Sequence, residues 1–129
     1  MRLARRALCA IALTLLIQFA ATVPATLAAP EDDARLENRK GVSQARRGNL
    51  EAALASFEEA CRVNPFDETA LANLACAHNN LGVLLVKEHK YAEAVNHFEA
   101  SKAQKPEDLQ IRFNLLSTRI TMRDTEGAA

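Results

Sequence analysis

The side chains best suited to chemistry in this sequence are His78, His89 and His97 together with Cys61 and Cys76. Metal ligands carried by one helix usually stand three or four residues apart, so that they share a face. None of these five residues has that spacing to another. The sequence also lacks a glycine-rich phosphate loop and a nucleophile elbow. We therefore predict no metal site, no cofactor and no enzymatic activity.

The two cysteines raise the question of a disulfide. They are expected on neighbouring antiparallel helices joined by a turn near Pro65, where residue 70 would lie opposite Cys61. Cys76 would then lie roughly 9 Å further along the helix axis. A disulfide rarely joins Cα atoms more than about 7 Å apart. Two buried thiols are favoured over a bridge, which stays open as the alternative.

The segment 1–28 reads as an export signal. Three Arg within residues 1–6 precede an apolar run from Ala7 to Val23, and the first carboxylate of the chain is Glu31. The segment Thr26-Leu27-Ala28, with small residues at its first and last positions, completes the pattern of a secretory signal that is cleaved after Ala28. We expect the chain to be exported, either to a periplasm or out of the cell. Retention of the segment as a membrane anchor is the alternative.

Composition and charge narrow the class of protein further. The chain has 129 residues, enough for one domain, with no Trp and only four Gly and four Pro, which favours an all-α fold. The 16 basic and 16 acidic residues balance, and loss of the three signal Arg would leave 13 against 16. A mature chain with a charge of about −3 is a poor nucleic-acid binder, because such binding depends on neutralising phosphates.

An internal repeat organises the remainder of the chain. Residues recur at an offset of 41, as Gly41 and Gly82 or Phe57 and Phe98 illustrate. In the first copy Ala53, Phe57 and Ala60 fall at i, i+4 and i+7, on one face of a helix. Glycine costs about 1 kcal/mol relative to Ala within a helix. Its recurrence predicts that two helices approach closely there.

These residues resemble the tetratricopeptide repeat, a helix–turn–helix of about 34 residues. In its register the first repeat covers 34–67, the second covers 75–108, and a terminal helix covers 109–123. The resemblance implies a right-handed α–α superhelix of about two and a half units within 29–123, followed by a flexible tail, 124–129. The residues that match its packing positions are Gly41, Ala53, Phe57, Ala60, Pro65, Leu81, Gly82, Ala94, Phe98, Ser101 and Pro106.

Five helices are predicted, at 34–47, 50–63, 68–88, 91–104 and 107–123. The segment 68–74 stands between the repeats and keeps the apolar phase of the third helix, so we expect it to lengthen that helix by about two turns. A turn at 68–74 is the alternative. Asn49 and Asp67 are predicted N-caps.

The resemblance also implies a concave groove lined by the first helix of each unit, which would hold a peptide or protein partner. Amides bond both donors and acceptors of a backbone, and Arg or Lys recognises carboxylates. A solvated face without a ligand is the alternative. The groove residues are Arg35, Asn38, Arg39, Arg46, Asn79, Asn80, Val83, Lys87, Phe113 and Asn114.

The terminal helix carries apolar residues around more of its surface than one neighbour can cover, and Leu116 and Ile120 are predicted partner-binding residues. The sequence thus predicts an adaptor of the cell envelope or of a secretion or assembly complex. The alternative is a homo-oligomeric structural protein whose terminal helices complete a shared core. Contact with a membrane is expected only through an uncleaved signal segment.

Overall fold

The computed structural model of the protein describes residues 30–127, and the predicted signal at 1–28 lies outside them. Within the described range the chain contains no strand, which confirms the all-α class. Five helices follow one another, namely α1 (Pro30–Arg46), α2 (Leu50–Val63), α3 (Glu68–Lys87), α4 (Tyr91–Gln104) and α5 (Leu109–Gly127).

The central helix α3 is continuous through residues 68–74, so the alternative of a turn there is wrong. Ala70 and Leu74 of this segment are buried, because the added turns keep the apolar face directed towards the core. Residues 30–127 contain one helix, α3, that is long and apolar enough to cross a membrane by length and composition. Six of its apolar residues belong to core clusters that α3 shares with α2, α4 and α5.

The outer ends of the fold are more helical than predicted. Helix α1 begins at Pro30, where proline fits the first helical position, and the acidic residues 31–33 complement the positive end of the helix dipole. Helix α5 continues to Gly127. The predicted flexible tail is therefore wrong for residues 124–127, because no proline or glycine interrupts the helix before Gly127.

The helices pack as successive hairpins around α3, which contacts all four of the others. Helices α1, α3 and α5 also contact one another in sequence, so they form one layer, against which α2 and α4 pack. One cluster of buried residues joins α2 to α3. The other joins α3, α4 and α5.

Two glycines in helix interiors, Gly41 and Gly82, each lie beneath a phenylalanine ring. A Cβ placed on Gly41 would come within 2.6 Å of the Phe57 ring, and one on Gly82 within 2.7 Å of the Phe98 ring. Only a residue without a side chain allows this approach. Around these two contacts the small residues Ala53, Ala60, Ala94 and Ser101 are fully buried and Leu81 is nearly so, while Pro65 and Pro106 are exposed in the turns that follow α2 and α4.

The predicted N-cap at Asp67 is confirmed, since its carboxylate accepts hydrogen bonds from the Thr69 and Ala70 N–H groups. Asn49 makes no side-chain cap bond, so its prediction as a capping side chain is wrong. Its φ of −83° and ψ of 72° differ from the extended backbone that aims a cap side chain at the helix. The turn there is closed by its backbone, with Asn49 N–H bonded to the Gln44 carbonyl.

Candidate binding groove

Two asparagine pairs hold the layer of α1, α3 and α5 together. Asn73 Nδ2 donates to Asn38 Oδ1 across 2.9 Å, joining α3 to α1. Asn114 Nδ2 donates to Asn79 Oδ1 across 2.9 Å, joining α5 to α3. Each member of the second pair follows its counterpart in the first at the repeat offset. Because an amide has four hydrogen-bonding sites, each asparagine retains capacity for a ligand.

Beside the first asparagine pair lies a hollow of about 320 Å³ between α1 and α3, with the Phe57 ring of α2 in its wall. Its lining is mainly apolar, with polar groups at the edge. The lining residues are Val42, Ala45, Arg46, Leu50, Phe57, Asn73, Cys76, Ala77 and Asn80.

A second hollow, of about 160 Å³, lies between α3 and α5. Its lining residues are Val83, Val86, Phe98, Asn114, Ser117 and Thr118. Every one of them follows a lining residue of the first hollow at the repeat offset. The fold therefore builds the same hollow twice, in the same layer of helices.

The two hollows differ in size and polarity for reasons that are visible in the sequence. Val86 takes the place of Ala45, and its larger side chain narrows the second hollow. Thr118 replaces Ala77 and donates its hydroxyl to the Asn114 carbonyl across 2.7 Å. The first hollow accordingly suits a larger apolar side chain and the second a smaller one.

Four of the predicted groove residues line one of the two hollows. Arg46 and Asn80 line the first, and Val83 and Asn114 line the second. Asn79 lies beside the second through its bond to Asn114. Sequence reasoning missed Asn73, although its recurrence as Asn114 at the repeat offset was a usable signal.

The other predicted groove residues lie elsewhere. Arg35 and Asn38 line a separate polar hollow next to the turn between α2 and α3, together with the carboxylates of Glu31 and Asp67. Those carboxylates would oppose an acidic ligand. The remaining three, Arg39, Lys87 and Phe113, are exposed and line none of these hollows.

Both cysteines of the described chain are free thiols, and no disulfide joins them. The prediction of two buried thiols is wrong for Cys76, which is exposed because it faces the first hollow rather than the core. Cys61 is half-buried. Burial raises the pKa of the Cys61 thiol, and the carboxylates of Asp67 and Glu58 raise it further. Cys76 is therefore the more accessible nucleophile.

The tertiary fold brings two histidines together that the sequence keeps apart. His78 Nδ1 of α3 lies 3.0 Å from His97 Nδ1 of α4, so one ring donates to the other. Burial lowers the pKa of His78, and the neighbouring His97 lowers it further. In residues 30–127, no three His, Cys, Asp or Glu side chains gather into a potential metal site.

Helix α5 buries one face and exposes the opposite one. Ile111, Leu115 and Thr118 are buried against the rest of the fold. The predicted partner-binding residues Leu116 and Ile120 are 61% and 51% exposed.

Comparison with known protein families finds no family model that matches this chain, and comparison with curated proteins finds no match either.

Proposed function

We propose that this chain is a small exported tetratricopeptide protein, a right-handed superhelix of about two and a half units. It acts without catalysis as an adaptor, and its groove holds an extended segment of a partner polypeptide in the cell envelope or in a secretion or assembly complex. The observation that carries this proposal is the pair of equivalent hollows. Two sites repeated at one offset suit a ligand that is itself repetitive, and a polypeptide is such a ligand.

The linings suggest how the segment is recognised. An apolar side chain buried in the first hollow contributes about 25 cal/mol per Å² of apolar surface removed from water. Asn80 at its rim offers both a donor and an acceptor to the backbone of the segment, and the guanidinium of Arg46 suits a neighbouring carboxylate. The smaller second hollow sets the size of a second side chain, so specificity arises from the pair.

Site-directed cross-linking from Cys76 tests this proposal. The Cys61→Ser variant leaves Cys76 as the single thiol of the described chain, and a photo-activated cross-linker is attached there before incubation with the envelope fraction. The matched control carries the cross-linker at Ala103→Cys, an exposed position on α4, with Cys61→Ser and Cys76→Ser. We expect one defined partner from position 76 and none from position 103. Equal capture at the two positions would argue against a groove ligand.

Thiol protection provides the quantitative assay once that partner is known. A bound segment should slow alkylation of Cys76 and leave the rate at Cys61 unchanged, which serves as an internal reference. Ala45→Phe fills the first hollow and should abolish protection, whereas Ala103→Phe should not. Protection that persists in Ala45→Phe would place the ligand elsewhere.

Export is tested separately by the mass of the cell-associated protein. Cleavage after Ala28 predicts an N-terminus at Ala29. An intact Met1 form in the membrane fraction would indicate that the segment is retained as a membrane anchor instead of being cleaved.

A further inference from the structure

The outer face of α5 corresponds to a surface that is covered in the preceding units. Leu116 follows Ala75 at the repeat offset, and Ala75 follows Ala34 at the same offset. Both alanines are almost completely buried, and the Ala75 carbonyl accepts a hydrogen bond from Ser101 of α4. Leu116, in contrast, is 61% exposed. Within residues 30–127, nothing covers α5 in the way that α4 covers α3.

Large apolar side chains are concentrated on that uncovered face. Of the seven exposed large hydrophobic residues in residues 30–127, four lie on α5, each more than half exposed. They are Leu109, Phe113, Leu116 and Ile120. Their 4-3-4 spacing is that of a seam along which two helices pack. Helix α1, at the opposite end of the layer, exposes only Leu36.

The charged residues that flank the centre of this seam indicate its occupant. Arg112, Leu116, Ile120 and Asp124 follow one another at intervals of four, so they form one line along α5, and all four are exposed. When two copies of this line run antiparallel, each arginine faces an aspartate and each leucine faces an isoleucine. The line is therefore complementary to itself. A two-fold symmetric interface requires such self-complementarity.

We propose that a second copy of this chain docks on the outer face of α5, with the two α5 helices antiparallel about a two-fold axis at the level of Thr118. Leu116 then packs against the partner's Ile120, and Arg112 pairs with the partner's Asp124, each contact occurring twice. A helix that packed on α5 as α4 packs on α3 would fit this face less well than a second α5. Arg123 takes the repeat position of Gly82, so a guanidinium stands where that glycine receives the Phe98 ring.

This assembly closes and leaves the groove free. Within residues 30–127 its two ends are the α1 helices, whose exposed face is polar apart from Leu36, so that face offers no apolar seam to a further copy. Asn114 of the groove and Leu116 of the interface are two positions apart in α5, which places them about 200° apart around the helix. The dimer therefore presents two independent grooves, and its formation does not depend on the proposed function.

Sedimentation of the protein as the cell processes it provides the first test. We expect a concentration-dependent dimer. Ile120→Glu should raise its dissociation constant at least about a hundredfold, because an unpaired carboxylate would be buried in the interface. The matched control is Leu36→Glu, which places the same charge at an exposed apolar position on α1 and should leave the dimer intact. A wild-type chain that stays monomeric at the highest soluble concentration, or a dimer insensitive to Ile120→Glu, would overturn the proposal.

A charge exchange tests the antiparallel register. Arg112→Asp and Asp124→Arg each place like charges opposite one another twice, and each should weaken the dimer by roughly tenfold. An equimolar mixture of the two variants restores both pairs and should recover the dimer, as should the double variant. Arg47→Asp mixed with Glu51→Arg, both exposed and away from α5, controls for net charge. A mixture of the α5 variants no more dimeric than its components would refute this register.

Discussion

Replacement of Gly82 by alanine should destabilise the protein when residue 98 is phenylalanine and stabilise it when residue 98 is leucine. The new Cβ would stand 2.7 Å from Phe98 Cε1 and 2.9 Å from Cδ1 and Cζ. Favourable carbon–carbon contacts begin near 3.5 Å, so the ring must move by about 0.8 Å. Phe98 is 1% exposed and lies among Leu81, Leu85 and Leu115. The ring also lines the second hollow, which is the one adjoining space into which it can shift.

The two opposing contributions can be estimated. Overpacking a core costs about 1 to 3 kcal/mol, and exchange of glycine for alanine inside a helix returns about 1 kcal/mol. Because the ring must give up part of its packing against the leucines to shift, we expect Gly82→Ala to lower the free energy of unfolding by up to about 2 kcal/mol. In a domain of this size the melting temperature should fall by about 4 to 8 °C for each kcal/mol.

Urea unfolding followed by circular dichroism, in a double-mutant cycle, measures the effect. Phe98→Leu removes the Cε1 and Cζ atoms and leaves a side chain that can turn away. In that background Gly82→Ala should be stabilising by up to about 1 kcal/mol. A stabilising effect of Gly82→Ala in the wild-type protein would refute this expectation, as would an equal cost with leucine at position 98.

Three further predictions concern the backbone, a buried hydroxyl and pH. Gly48 has a φ of +82° with no atom near its absent Cβ, so Gly48→Ala should cost about 1 kcal/mol through backbone conformation alone; an unchanged urea midpoint would contradict this. Ser101→Ala removes the 2.7 Å hydrogen bond to the buried Ala75 carbonyl and should lower the free energy of unfolding by about 1 to 3 kcal/mol. Ser101→Thr keeps the hydroxyl, so any destabilisation in that variant should come from its added methyl group. The pKa of His78 is lowered in the fold from its usual 6.5, so the unfolded chain binds more protons than the folded one between these two pKa values. Stability should therefore fall as the pH drops through 6.5 and below. His78→Asn should flatten this slope in unfolding curves measured between about pH 5 and pH 8, and an unchanged slope would contradict the expectation.

Local signals in the sequence determined where the helices lie. The bounds of α2 and α4 were predicted to the residue, because apolar spacing and Pro65 and Pro106 act within a few residues of the positions that they define. The predicted cap at Asp67 depends on contacts with the next turn only. Where the prediction failed, at Asn49, the backbone angles of the turn rather than the residue type decided the outcome.

The candidate binding surfaces were decided by the tertiary structure. The hydrogen bond from Asn73 to Asn38 joins helices that are far apart in the sequence. No local sequence pattern around either asparagine identifies its partner. Cys76 is exposed because a hollow separates α1 from α3 beside Phe57, and the His78–His97 contact follows from the packing of α4 against α3. Helix propensities and caps act over about four residues, whereas the stacking of helices depends on how side chains from distant segments fit together. The repeat in the sequence therefore determined that the same arrangement occurs twice, and only the packing of α1, α3 and α5 determined that this arrangement is a hollow.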